Sequence, residues 1–406
     1  MEPSLKSELK LLPVDGVRLA TAAAGIKKSS NEDLLLIEIA ENAQVAAVFT
    51  ANRFAAAPVE LCRQYLQQAR PRYLLINSGN ANCGLGAPGL EAARLCCEAV
   101  ASAAGVDLES VLPFSTGVIA EPLPAQKIVA AVPDLIKNLD SDQWIAGAEA
   151  IRTTDTVAKG GPRVIDIDGV PVTITGICKG SGMIRPNMAT MLAYIATDAV
   201  VAAEILQPLL NRAVDASFNC ISVDGDMSTN DACLLIATGK AGNPLLEPAM
   251  PEPWHRFEQA VTELCTELAQ LIVRDGEGAT KFITIQVRGT VSNDDARAVA
   301  IAVAHSPLVK TAFFASDANW GRILAAVGYA PIENLDISKV EIFLGDVCIV
   351  RNGARADQYE EAAGAAVMAE GDITLTIDLH SGDGRIDFWT CDLSYDYVRI
   401  NAEYRT

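Results

Sequence analysis

The dipeptide Asp168-Gly169 lies between two runs of alternating apolar and polar residues, 163–167 and 170–177. A two-residue hairpin turn needs left-handed backbone at both centre positions, and Asp-Gly supplies it. This spacing predicts an antiparallel hairpin mid-chain, and with it a protein built on sheets. Around the hairpin, strand-like and helix-like segments alternate. Residues 34–40 and 44–50 read as strands joined by a short polar turn, and 72–77 as another. Residues 110–119 read as a strand broken at Thr116-Gly117. Helical spacing marks 90–104, 124–135 and 141–151, the last with Ser141 as N-cap. Downstream, 191–197, 220–224, 232–238, 282–289, 340–352, 373–379 and 387–393 read as strands. Residues 202–218, 254–274, 294–304, 319–327 and 359–368 read as helices. Such alternation predicts layered α/β (α+β) architecture. No linker cluster or repeat divides the chain, so we expect one intimate unit, although 406 residues would also suffice for two or three domains.

Composition narrows the partners. The formal net charge of -19 argues against nucleic acid and anionic membranes. No run of 18 apolar residues occurs, and residues 1–14 lack the apolar centre of a signal peptide. We expect a cytoplasmic protein. The ten Cys include no Cys-x-x-Cys pair and mostly fall in apolar runs, so they read as reduced, buried small hydrophobes.

Chemistry-bearing residues are few. The three His, at 255, 305 and 380, stand apart from acidic or Cys-rich clusters, and no metal site is expected. No Gly-x-Ser-x-Gly elbow or P-loop is present. Gly84, Gly86 and Gly89 form a literal Gly-x-Gly-x-x-Gly, with Glu109 near the spacing of a ribose-binding acid. Residues 77–83 separate that motif from its strand and Pro88 interrupts it, so plain turn glycines are the better reading.

The loop 177–188, rich in Gly, Pro and Asn, runs into Ala189-Thr190 at the mouth of an apolar run. Strained backbone gathers in such loops. Thr190 could attack the Ala189 carbonyl and cut the chain, leaving a residue that carries both a nucleophile and an amine base. The bland alternative is a β-branched residue that starts a strand. Lys179 and Arg185 bring positive charge, and Thr116-Gly117 could offer a hydroxyl and a backbone N–H to an oxyanion.

A set of motifs spread over residues 16–406 carries a resemblance. They are Asn77-Ser78-Gly79-Asn80-Ala81-Asn82, Ser115-Thr116-Gly117-Val118-Ile119, Thr153-Thr154-Asp155-Thr156, Lys179-Gly180-Ser181-Gly182-Met183-Ile184 and Ala189-Thr190-Met191-Leu192. In the second half stand Ser222-Val223-Asp224-Gly225-Asp226, Ser228-Thr229-Asn230-Asp231, Gly276-Glu277-Gly278-Ala279-Thr280-Lys281, Asp317-Ala318-Asn319-Trp320-Gly321-Arg322 and residues 401–406. The chain resembles the ornithine acetyltransferases, the bifunctional glutamate N-acetyltransferase/amino-acid acetyltransferases of arginine biosynthesis. Ala120 departs from the pattern, where Gly is expected.

The resemblance implies a self-cleaving enzyme like the N-terminal-nucleophile enzymes, with its own α/β topology. Cleavage between Ala189 and Thr190 would give an α chain, 1–189, and an intertwined β chain, 190–406, assembling two of each. Thr190 would be the nucleophile, and Thr116 and Gly117 the oxyanion hole. Thr153 (or a neighbouring Thr), Lys179, Thr190, Glu277, Asn401 and Thr406 would bind substrate. Thr190 would take acetyl from N-acetylornithine and pass it to glutamate by a ping-pong route, with no cofactor and with acetyl-CoA open as a co-substrate. An amine of unperturbed pKa about 7.7–8.0 would serve as base. By charge, Lys179 suits a substrate carboxylate and Glu277 the ornithine ammonium. Taken singly, Lys179 reads as a solvated loop charge, Glu277 as an exposed turn residue, and Asp317 and Arg322 as an N-cap and a helix-surface charge. The competing function is an N-terminal-nucleophile amidohydrolase or aminopeptidase with water as acceptor; a non-enzymatic binding protein is the third reading.

Overall fold

The computed structural model describes residues 9–27, 31–186 and 191–403. They fall into two compact units, one holding the chain up to 219 and 226–272, the other 220–225 and 273 onward.

The larger unit contains β1 (Val17–Ala22), β2 (Leu34–Ile39), β3 (Gln44–Phe49), β4 (Tyr73–Asn77), β5 (Val111–Ser115), β6 (Lys159–Ile167), β7 (Val170–Lys179) and β8 (Leu192–Thr197). Next comes β9 (Ile221–Ser222), which belongs to the smaller unit, and then β10 (Ala232–Ala237). One sheet has the order β1-β2-β4-β5, with β4 and β5 parallel. Helices α1 (Ala57–Tyr65), α2 (Ala87–Ala104), α3 (Ala125–Lys137) and α4 (Trp144–Ala150) pack on it. The second sheet has the order β3-β10-β8-β7-β6, with β8 and β10 parallel. Every residue of β8 and of β10 is buried, which is why both read as unbroken apolar runs. Helix α5 (Ala203–Ala216) packs against β3, and the chain leaves the unit through α6 (Pro251–Arg274).

The expected hairpin is β6–β7. Its turn residues Asp168 and Gly169 have φ of 51° and 85°, the left-handed backbone that the dipeptide tolerates. The short turn after β2 does not make a hairpin. β2 is filled by β1 and β4 on its two edges, and the chain crosses so that β3 pairs with β10. Strands from both sides of residue 190 share the second sheet, since β3, β6 and β7 precede it and β8 and β10 follow it.

The smaller unit is a sheet of order β14-β13-β12-β15-β11-β16-β9, made by β9, β11 (Phe282–Thr290), β12 (Glu341–Leu344), β13 (Val347–Arg351), β14 (Ala354–Arg355), β15 (Asp372–Asp378) and β16 (Gly384–Cys391). Around it lie α7 (Asn293–Ala304), α8 (Pro307–Phe314), α9 (Trp320–Gly328), α10 (Glu361–Met368) and α11 (Tyr395–Ala402). Ile283, Ile285, Val287, Ile342, Leu375, Ile377 and Phe388 are fully buried in this sheet.

The architecture is mixed α/β, as the alternation predicts. Two local expectations need correction. Helix α4 starts at Trp144 with Gln143 at its cap, not Ser141, because Asp140 takes the turn by accepting the Asp142 N–H. The run 340–352 is no single strand; it folds at Gly345-Asp346 into the β12–β13 hairpin. All ten Cys are free thiols, and all but Cys348 are buried. No described helix is long and apolar enough to cross a membrane.

Candidate active site

Parallel pairing of β4 and β5 sets Asn77 beside Ser115, so the loops that follow both strands emerge together. Asn77 Nδ2 donates to Ser115 Oγ at 2.6 Å, and Asn77 Oδ1 accepts the Asn80 N–H at 3.1 Å. The Thr116 N–H donates to Asn77 O at 2.9 Å. Further along, Asn80 Oδ1 accepts the Asn82 N–H at 2.7 Å, and Asn80 Nδ2 donates to the carbonyls of Glu121 and Pro122. From the turn before β10, Asn230 Nδ2 donates to Ala81 O at 2.7 Å and Ser115 O at 2.9 Å. The Asn-rich run is thus turn chemistry, but almost all of it is buried and committed to the loop that carries Thr116.

Gly117 follows at φ 130°. A Cβ there would come within 2.5 Å of the Gly79 carbonyl carbon and 2.7 Å of Asn80 N. The position takes only glycine, and the close packing fixes where the Thr116 side chain and the Gly117 peptide stand.

Lys179 ends β7 and is 3% exposed, so it is no solvated loop charge. Its Nζ donates to Thr116 Oγ1 at 3.3 Å. Beside it, the fully buried Asp155 carboxylate accepts from Lys159 Nζ at 2.6 Å, from the Gly180 N–H at 2.7 Å and from the Thr153 N–H at 3.0 Å. The Thr153 hydroxyl reaches the same carboxylate at 3.5 Å. Burial alone would raise this carboxyl, but the Lys159 and Lys179 ammonium groups and these donors hold it below the usual carboxylate range. Asp155 therefore ties three sequence-predicted pieces together: Thr153, the Lys179-Gly180 corner and, through Lys179, Thr116. Lys27, whose Nζ donates to Arg152 O at 2.7 Å, is drawn down to about 8 by burial, against the pull of Asp33 and Asp155.

Antiparallel register places Lys179 opposite Leu192, the first residue of β8. Ala189 and Thr190 lie outside the described residues, as does Thr406. The first described residue after them, Met191, is held at both polar groups: its N–H donates to Asp231 Oδ1 at 3.1 Å, and its carbonyl accepts from the Ala232 N–H at 3.1 Å. The corner formed by Thr116, Lys179 and Asp155 thus sits one ladder pair from the strand that Thr190 leads into.

The remaining predicted residues belong to the smaller unit. Glu277 is nearly buried, not an exposed turn residue, and its Oε2 accepts from Asn401 Nδ2 at 2.8 Å. Ser394 Oγ donates to Gly278 O at 2.6 Å, and Tyr397 OH donates to Asp224 Oδ2 at 3.2 Å, fastening the N-terminal turn of α11 beside Glu277. Asn319, not Asp317, caps α9, and Arg322 donates to Leu308 O and Thr311 Oγ1. Gly84 and Gly86 lie in the turn that leads into α2 and Gly89 in its first turn, after the buried Asn loop rather than directly after β4. His255 is exposed on α6, and His380 stands in an exposed turn 3.3 Å from Glu341. Among the described residues, no three His, Cys, Asp or Glu are placed to share a metal ion.

Residue reasoning missed Asp155, Lys159, Asn230 and Asp231 as parts of this site. Two of these acids stand inside quoted motifs, Thr-Thr-Asp-Thr and Ser-Thr-Asn-Asp, but a polar residue in a turn-like stretch gives no sign that it will be buried. Lys159 gave still less, being a charge at the start of a strand.

Comparison with known proteins places the chain in a family. The model of the ArgJ family matches residues 18–406. The arginine biosynthesis bifunctional protein ArgJ of Methylococcus capsulatus is 56% identical over 400 residues, covering 98% of each chain. Its namesake from Pseudomonas syringae pv. tomato is 54% identical over 396 residues, again covering 98% of each. Among solved structures, the arginine biosynthesis bifunctional protein ArgJ from Bacillus halodurans is 40% identical with a TM-score of 0.50, over 52% of this chain and 97% of its own. With a family model that spans nearly the whole sequence and relatives above half identity end to end, this chain belongs to the ArgJ family.

Proposed function

We propose that this chain moves an acetyl group from N-acetyl-L-ornithine to L-glutamate through an ester on Thr190. As a member of the ArgJ family it is an acyltransferase of arginine biosynthesis. The observation that carries the residue-level reading is the Lys179 ammonium on the Thr116 hydroxyl, opposite the start of the strand that follows Thr190. Lys179 already occupies one lone pair of Thr116 Oγ1, so the hydroxyl hydrogen is turned toward another acceptor. A hydroxyl donor fixed in this way, next to the Gly117 peptide, suits an oxyanion.

In the first step Thr190, generated by cleavage after Ala189, attacks the acetyl carbonyl. Its own α-amine takes the hydroxyl proton and returns it to the departing ornithine amine. Glutamate attacks the ester in the second step, and N-acetylglutamate leaves. Thr153, Lys179, Glu277, Asn401 and Thr406 bind the substrates. The reading needs no cofactor; the word bifunctional in the relatives' names fits acetyl-CoA as a further donor. The two products, 1–189 and 190–406, stay joined through the shared β3-β10-β8-β7-β6 sheet and assemble two of each in the cytoplasm. In support of such a cut, the solved Bacillus halodurans chain is matched over nearly its whole length by about half of this one.

The test is an initial-rate study with an intact-mass measurement. Two chains and parallel double-reciprocal plots are expected. A single 43.0 kDa species with full activity, or activity surviving Thr190→Ala, overturns the nucleophile. Acetate released without glutamate turns the reading to a hydrolase, and N-acetylglutamate made from acetyl-CoA settles the second donor.

A further inference from the structure

Helix α11 lies beside Glu277 without burying any of its own residues. Tyr395 is 83% exposed and Val398 64%. A helix of eight residues is marginal on its own, so its position rests on its cap and on a few polar contacts. Ser394 supplies both kinds of hold. Its Oγ accepts the Asp396 N–H at 3.2 Å as N-cap, and its hydroxyl hydrogen goes to Gly278 O at 2.6 Å.

The partner of that hydroxyl is a tight turn. The Ala279 N–H donates to Gly276 O at 2.9 Å, which leaves Glu277 and Gly278 as the central residues, and Gly278 has φ 70°. A Cβ on Gly278 would stand 2.5 Å from Tyr397 N and 2.8 Å from Ser394 Oγ, so the turn rests directly on the start of α11. After the turn, the buried Asp392 carboxylate accepts the N–H groups of Thr280 and Lys281 at 2.8 and 2.9 Å and the Thr280 hydroxyl at 2.5 Å. Asp392 thus fixes the chain that follows, and the Ser394 bond sets the turn against the helix. Two turns along the same face of α11, Asn401 Nδ2 donates to Glu277 Oε2 at 2.8 Å and to Tyr397 O at 3.0 Å. The helix and the turn therefore meet twice, once at Ser394 and once at the pair that is to contact substrate.

We propose that Ser394 is a positioning residue for recognition of the ornithine side-chain ammonium: one hydroxyl caps α11 and latches it to the Glu277 turn, so that Asn401 meets the Glu277 carboxylate and holds it in one orientation. The inference rests on the reading of Glu277 and Asn401 as substrate contacts, with Glu277 taking the ammonium. Glutamate has no side-chain ammonium, so the latch bears on N-acetylornithine.

Ser394→Ala and Ser394→Asp in the full chain, run beside Glu277→Gln, test it by steady-state kinetics with both substrates varied. Alanine removes cap and latch together. Aspartate keeps an acceptor for the Asp396 N–H but has no hydrogen for Gly278 O. Its charge would by itself favour an ammonium, so weaker binding in this variant comes from the lost latch. Both variants are expected to raise KM for N-acetylornithine about fivefold or more, with kcat and KM for glutamate within about twofold. A merely structural role would lower the melting temperature and leave the ratio of the two KM values in place. Wild-type KM values in both variants, a loss confined to kcat, or an equal rise in both KM values overturns the proposal; should Ser394→Ala not fold, Ser394→Asp decides alone. If Glu277→Gln raises KM for N-acetylornithine while the Ser394 variants behave as wild type, only this inference falls. If Glu277→Gln also leaves that KM unchanged, the reading of Glu277 falls first.

Discussion

Lys179 Nζ donates to Thr116 Oγ1 across 3.3 Å, joining the end of β7 to the loop after β5 in a setting where both side chains are buried. The bond makes Lys179 part of the donor machinery as well as a proposed substrate contact, and it orients the Thr116 hydroxyl. Thr116→Val removes the hydroxyl at nearly constant volume. We predict a fall in kcat on the order of 10²–10³, the loss typical of one oxyanion donor, with KM little changed. Steady-state kinetics with N-acetylornithine and glutamate check it; an unchanged kcat excludes the hydroxyl.

Asp155 is the hub beneath that pair, and its carboxylate is held ionised by two lysines in a buried setting. Removing one member of such a cluster leaves uncompensated charge, so Asp155→Asn should destabilise by about 3–5 kcal/mol. Asp155→Asn with Lys159→Met, which removes charge in pairs, should recover part of that loss. The sign with pH follows from a folded-state pKa lower than the unfolded one. The contribution of Asp155 is complete above the unfolded value of about 3.9 and declines as the pH falls below it. Urea denaturation of wild type and Asp155→Asn should give a constant gap between pH 5 and 8 and a narrowing gap below pH 4. A gap that widens in acid contradicts the assignment.

Gly117→Ala asks the chain to place a methyl within 2.5 Å of the Gly79 carbonyl carbon. Backbone cannot yield as a side chain tip does, so the loop carrying Thr116 must move. Strain of about 1–3 kcal/mol is expected, with a loss of kcat out of proportion to it, because small displacements at a donor are costly. A thermal melt read beside kcat separates the two effects. Full activity at lowered stability would show that the Gly117 peptide is not a donor.

Much of this was legible in the sequence, for identifiable reasons. Asp168-Gly169 states its own turn, and β8 and β10 announce burial on both faces by unbroken apolar runs. Thr116-Gly117 shows as a break at the end of a strand. What periodicity hides is pairing between distant segments. Nothing in residues 34–50 says that β2 and β3 part into different sheets, because that depends on β10, far along the chain. Nor does Thr153-Thr154-Asp155-Thr156 say which member is central. Asp155 becomes so only when Lys159, Lys179 and Gly180 arrive from two other strands. The Lys179 charge looked solvated for the same reason, since burial of a charge is set by its partners.

Ala120, the one departure from the family pattern noted in the sequence, adopts φ 65° while its N–H donates to Cys83 O at 3.0 Å. Left-handed backbone costs a residue with a Cβ about 1–2 kcal/mol, and glycine avoids that cost. Glycine also loosens the unfolded chain, which returns roughly 0.5–1 kcal/mol. The two nearly offset, so Ala120→Gly should be neutral to stabilising by no more than about 1 kcal/mol, with kcat unchanged. Ala120→Val makes the opposite demand, because a β-branched side chain fits this region poorly. It should lower the melting temperature and, by disturbing the turn four residues after Thr116, lower kcat as well. Melting curves and rates for the pair check the argument. A stabilised valine variant would mean that the turn does not need left-handed backbone at residue 120.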